Sequence, residues 1–193
     1  MKNSLLQPFT YFQEKQLLLF GLVIGLLSCL LQLITHTRII SILQLTALDQ
    51  PPTFLQAICD YTISSIAMAL ALFIFGRIIN PKTRWIDIFN TIIIARIPLF
   101  LPLFFDIKGY ISNKQKALIQ SISNPEAITN QMEGFLPILI FAIFCLLLLI
   151  VFGYYLYQGF KTATHLKKPG HIIIFIVLTL GIDLLTRLLT TLY

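Results

Sequence analysis

The sequence predicts an all-α fold: a polytopic membrane helix bundle with five transmembrane helices. Three observations predict it. The 193 residues are 57% hydrophobic and only 11% charged, with a mean hydropathy of +0.86, whereas soluble domains carry about 25% charged residues. Five stretches are apolar over about 20 residues, enough to cross a hydrocarbon core about 30 Å thick. Finally, most basic residues gather between those stretches.

The first sixteen residues precede the bundle. In "SLLQPFTYFQEKQ", Leu5, Phe9 and Phe12 share one helical stripe, which predicts a short interfacial helix within 1–16 on the inner membrane surface. A single transmembrane domain then covers 17–193. Its first span is Leu17 to Thr35, "LLLFGLVIGLLSCLLQLIT". The "LLSC" ending at Cys29 loosely matches a lipoprotein cleavage site, but the long n-region with Glu14 argues for an uncleaved span. The second span runs from about Ala57 to Ile79 and the third from Trp85 to Phe105. The fourth, Phe135 to Tyr157, is the cleanest, and the fifth is His171 to Tyr193. Between them, Arg38 to Leu48 reads as an amphipathic surface piece stopped by "DQPPT", and Asp106 to Gly134 as a polar loop with a short surface helix.

Charge sets the orientation. One side collects Lys2, Lys15, Arg77, Lys82, Arg84, Lys161, Lys167 and Lys168, and the other Arg38, Lys108, Lys114 and Lys116. Eight against four places the N-terminus in the cytoplasm and the C-terminus outside. Trp85, Tyr154, Tyr155 and Tyr157 then mark the inner boundary, and Tyr61, Tyr110 and Tyr193 the outer.

Beyond Arg77, counted with the inner basic residues, five charged residues fall within the spans: Asp60, Asp87, Arg96, Asp183 and Arg187. Such groups are costly in lipid and normally face the bundle interior, where they pair. At a rise of about 1.5 Å per residue, Arg96 and Asp183 both lie roughly 16–18 Å from the inner boundary. The expected pairs are therefore Arg96 with Asp183 near the midplane and Arg187 with Asp60 nearer the outside. Asp183 and Arg187, spaced i,i+4, could also satisfy each other, while Asp87 stays at the inner headgroups. Pro98 lacks an N–H and would free the carbonyl of Ile94, as Pro102 would free that of Pro98. "ARIP" is then a kinked joint where Arg96 donates to a carboxylate or to freed carbonyls. Two purposes fit: a structural ion pair that docks helices, or a substrate or proton pathway.

Small residues recur at close-packing spacing: Gly21, Gly25 and Cys29 on span one, and Ser65 with Ala69 and Ala67 with Ala71 on span two. They suit packing within the chain and also a homo-oligomer. The three cysteines lack pair spacing, and two loop histidines, His165 and His171, are too few for a metal. No nucleophile–base–acid set or phosphate loop is present, so neither catalysis nor a cofactor nor a nucleic-acid partner is expected.

Two blocks, "LALFIFGRIINPKTRWIDIFNTIIIARIPLFL" and "LLLLIVFGYYLYQGFKTATHLKKPGHIIIFIVLTL", resemble the Yip (Ypt/Rab-interacting protein) family in its short bacterial form. The turn "IINPKTR" stands where bacterial relatives often carry paired glycines. The resemblance implies a five-span bundle, N-terminus cytoplasmic, with no catalytic residues. The long N-terminal region tied to GTPase binding in eukaryotic members has no counterpart here, so Rab binding is not expected. The expected function is a non-enzymatic scaffold or adaptor for other proteins of a bacterial cytoplasmic (inner) membrane. The alternative is a small transporter, or an accessory subunit of a transporter complex, that uses the intramembrane Arg/Asp set. Lipid binding through the N-terminal segment and the basic turns is a third reading.

Overall fold

A computed structural model describes residues 8–48, 50–105, 111, 113–115 and 132–190. After a short helix, α1 (Pro8–Tyr11), the chain forms α2 (Glu14–Thr35), a hairpin of β1 (Thr37–Ile39) and β2 (Leu45–Ala47), and α3 (Phe54–Ile79). Span three follows as α4 (Trp85–Ala95), a 3-10 turn (Ile97–Phe100) and α5 (Leu101–Phe105). The long α6 (Met132–Thr164) and α7 (Pro169–Thr190) complete the bundle. Among the described residues, five helical segments are long and apolar enough to cross a membrane, at the five places the sequence predicts. Leu5, Tyr110, Tyr193 and the polar stretch 116–131 lie outside the described residues.

Local chemistry sets the helix ends. Gln13 and Gln16 form a reciprocal capping box at α2, and the Thr53 hydroxyl accepts from Gln56 N at 3.3 Å at α3. Thr83 Oγ1 donates to the Asn80 and Gly76 carbonyls, closing the turn after α3. His36 (φ 52°) and His165 (φ 54°) adopt the left-handed conformation that ends α2 and α6. Of the two histidines the sequence leaves as loop residues, His165 is thus a helix stop, while His171 lies in the first turn of α7.

Span three is the hub. α4 packs against α2, α3 and α6, while α7 rests chiefly on α3. The largest core joins Met68, Leu72 and Phe75 of α3, Ile88 and Ile92 of α4, and Phe152, Leu156 and Phe160 of α6. Phe160 stacks between Phe75 (5.7 Å) and Phe175 of α7 (4.8 Å), so one aromatic column ties three helices. α1 is anchored through Phe9, which packs beside Leu17, Ile93 and Ile94.

The segment expected as an amphipathic surface piece is instead a hairpin folded back among the helices. Its register pairs Thr37 with Ala47, Arg38 with Thr46 and Ile39 with Leu45. Ile42, at its tip, belongs to the main core beside Met68 and Phe152. Backbone outside a helix is tolerated at membrane depth only where protein encloses it and satisfies its polar groups.

Candidate functional site

Arg96 sits where α4 stops, and it is fully buried. Pro98 cannot donate a hydrogen bond, and the chain tightens there into i→i+3 bonds: Leu99 N to Arg96 O at 2.9 Å, and Leu101 N to Pro98 O. The Pro98 carbonyl, expected to be free because of Pro102, is therefore satisfied one residue earlier. The break turns Arg96 toward α3, where Nη1 donates to Tyr61 O (3.1 Å), Ser64 Oγ (2.9 Å) and Ser65 Oγ (2.5 Å).

Each serine spends its own proton on the helix behind it. Ser64 Oγ donates to Asp60 O at 2.6 Å and Ser65 Oγ to Tyr61 O at 2.7 Å, which leaves lone pairs for the guanidinium. The Tyr61 ring lies under the cation at 4.5 Å and Phe100 at 6.0 Å. Nε and Nη2 have no hydrogen-bond acceptor among the described residues.

The expected Arg96–Asp183 ion pair does not form. Asp183 Oδ1 instead accepts from Leu43 N, at the hairpin tip, at 3.0 Å. The Arg187–Asp60 pair is also replaced. Arg38, counted in the sequence as a loop cation, grips Asp60 in fork geometry, Nε to Oδ2 at 2.6 Å and Nη2 to Oδ1 at 3.0 Å. Arg187 is exposed near the end of α7 and makes no ion pair among the described residues. Asp87 accepts from Arg84 (2.9 and 3.1 Å), and Arg84 also bonds Glu14. The two carboxylates hold the exposed Arg84 guanidinium protonated well above its ordinary range.

Other helix side chains bond the hairpin backbone. Gln32 Oε1 accepts from Ile39 N at 2.9 Å, and Thr190 Oγ1 donates to Ile40 O at 2.9 Å. Thr35 and Thr37 hydroxyls meet at 2.6 Å. Gln32, Arg38, Ser64 and Thr190 are the site residues that sequence reasoning missed. Their signal was the placing of polar residues near those ends of spans one, two and five that share a membrane face, with a β-branched "TRII" between them.

The stripe of Gly21, Gly25 and Cys29 and the pair Ser65 with Ala69 pack within the chain. A Cβ on Gly21 would lie 2.7 Å from the Ile93 side chain, and one on Gly25 2.5 Å from the Tyr61 hydroxyl oxygen. Cys29 Sγ reaches Ala57 O at 3.6 Å. Ser65 and Ala69 turn inward, Ser65 to Arg96 and Ala69 into the main core. All three cysteines are free thiols.

The fold defines the class: five apolar helices make this an integral, multi-pass membrane protein. Comparison with family models, curated proteins and solved structures finds no match to the chain.

Proposed function

We propose that this protein is a non-enzymatic scaffold or adaptor of the bacterial cytoplasmic membrane that binds other membrane components through its helix faces. One observation carries the reading. The span Leu136–Thr164 has only 11% of its most apolar stretch buried within the chain, against 67% for Trp85–Phe105. Ile143, Leu147 and Ile150 form one exposed stripe along α6, and a helix so placed meets either lipid or a second membrane protein. The resemblance to short Yip-family members and the eight-to-four basic bias, which favours a cytoplasmic N-terminus, support the same reading.

Photo-crosslinking residues at 143, 147 and 150 test it in native membranes, with buried Phe152 and Leu156 as control positions. Discrete adducts with another membrane protein are expected from the exposed stripe alone. Adducts with lipid only from 143, 147 and 150 would overturn the proposal.

A transport role has one observation in its favour: a guanidinium with two nitrogens unpartnered among the described residues where span three breaks, as transporter sites often do. Against it, Arg96 is 0% exposed. Flux in proteoliposomes that vanishes on Arg96→Lys while the fold persists would favour transport.

A further inference from the structure

Two opposite charges on α7 are left without a counter-ion. Asp183 is half-buried, and its Oδ1 accepts from Leu43 N at 3.0 Å. Its Oδ2 has no partner among the described residues and is not sealed from its surroundings. Arg187, one turn further along, is exposed and makes no ion pair among the described residues. Their i,i+4 spacing would let the two meet on one helix, yet they stay apart. Arg38 and Arg96 are both committed to α3. Charges within a span normally pair, so this flank of α7 calls for a cation beside Asp183 and an anion beside Arg187.

The second observation is the pattern in which the two charges stand. Ile173, Ile176, Leu180, Asp183 and Arg187 are spaced three, four, three and four, the a/d repeat by which one helix pairs with another. The three apolar members are each more than half exposed. Ile176 and Leu180 also line an apolar groove of about 430 Å³ between α7 and α6. On its α6 wall Gly153 presents no side chain, and a Cβ there would meet nothing within 4 Å. The groove therefore has room for the side chains of an incoming helix.

We propose that the occupant is a second copy of this chain, docked α7 against α7 about a two-fold axis along the membrane normal. Copies inserted in the same sense hold identical residues at identical depth. Arg187 is then offset from the partner's Asp183 by about 6 Å along the helix axis, a distance its side chain spans. The two-fold axis makes that ion pair twice. The patch is self-complementary, because it supplies both the cation and the anion that it lacks. This interface uses α7 rather than the exposed stripe of α6, and it stands independently of the adaptor reading.

The test is disulfide cross-linking of the full-length protein in native membranes, with the native cysteines replaced. Leu180→Cys, within the seam, is expected to give a covalent dimer. Leu185→Cys, exposed on the opposite side of α7, is expected to give none. Added to Leu180→Cys, either Asp183→Asn or Arg187→Gln should lower the cross-linked fraction by on the order of tenfold. Asp183→Asn keeps an acceptor for Leu43 N, so the hairpin is retained. Co-expressing the two charge variants under different tags restores one Asp183–Arg187 pair between unlike chains, and the mixed dimer should exceed either like dimer. Equal cross-linking at 180 and 185 would overturn the proposal as random collision. So would cross-linking of position 180 to a different protein, or no cross-link at all. A mixed dimer no more abundant than the like dimers would mean that the charges pair within one chain, and would overturn it as well.

Discussion

Arg38 and Asp60 present the fork of a guanidinium to both oxygens of a carboxylate that is wholly buried. Removing one partner leaves the other charge uncompensated, whereas removing both lets the site become apolar. Asp60→Asn is therefore expected to destabilise the protein by about 3 kcal/mol or more, and Arg38→Met with Asp60→Leu to recover much of that loss. Thermal unfolding of the detergent-solubilised protein checks both. Arg96 follows different rules because serine hydroxyls, a carbonyl and two rings hold it. Exchanging Arg96 and Asp183 is accordingly expected to give no rescue over the single changes, and a full rescue would contradict the geometry. Gly25 lies against the same Tyr61 ring that supports Arg96. Gly25→Ala should cost about 1–3 kcal/mol by overpacking, and Gly21→Ala a similar amount, because the Ile93 side chain it would meet is fully buried and β-branched.

At the scale of elements, the hairpin is the part whose stability depends on other elements. Asp183 lies seven residues inside the end of α7, roughly 10 Å along its axis, and it caps the amide of Leu43. Asp183→Leu should orphan that N–H at a cost of about 1–3 kcal/mol, while Asp183→Asn keeps an acceptor and should cost less. Hydrogen exchange at Leu43 is the direct measurement, with protection expected to fall in the first variant and to survive in the second. The Phe75–Phe160–Phe175 column plays the corresponding part for the helices. Lipid is as apolar as the core, so Phe160→Ala forfeits packing rather than transfer free energy, and a loss of about 2 kcal/mol is expected.

For the whole molecule, the distinctive feature is uneven burial: span three is enclosed while α6 and α7 keep most of their surface for the bilayer or a partner. The hairpin belongs to the enclosed part, although in sequence it is a connection between spans. In a background with the native cysteines replaced, Ser41→Cys at the hairpin tip should resist a membrane-impermeant thiol reagent from both sides, since Ser41 is buried. Lys167→Cys, on the exposed α6–α7 connection, should react from one side only. Rapid labelling at position 41 would place the hairpin at the surface.

Composition and the lengths of the apolar runs were enough to determine the membrane class, the five helices and their order, because lipid forces every spanning backbone to satisfy itself within one helix. The break in span three was legible for the same reason, since Pro98 removes a donor whatever its neighbours are. Partner choice was not legible. Rise per residue ranks charges by depth but gives no rotation about the helix axis, so Arg96 and Asp183 matched in depth without meeting. Only the tertiary structure could decide that Arg38 folds back to Asp60, that Asp183 serves a backbone amide, and that Ser64 and Ser65 receive Arg96. Each depends on which faces of different helices turn toward one another, and on a hairpin whose hydrogen bonds exist only once the helices are assembled around it.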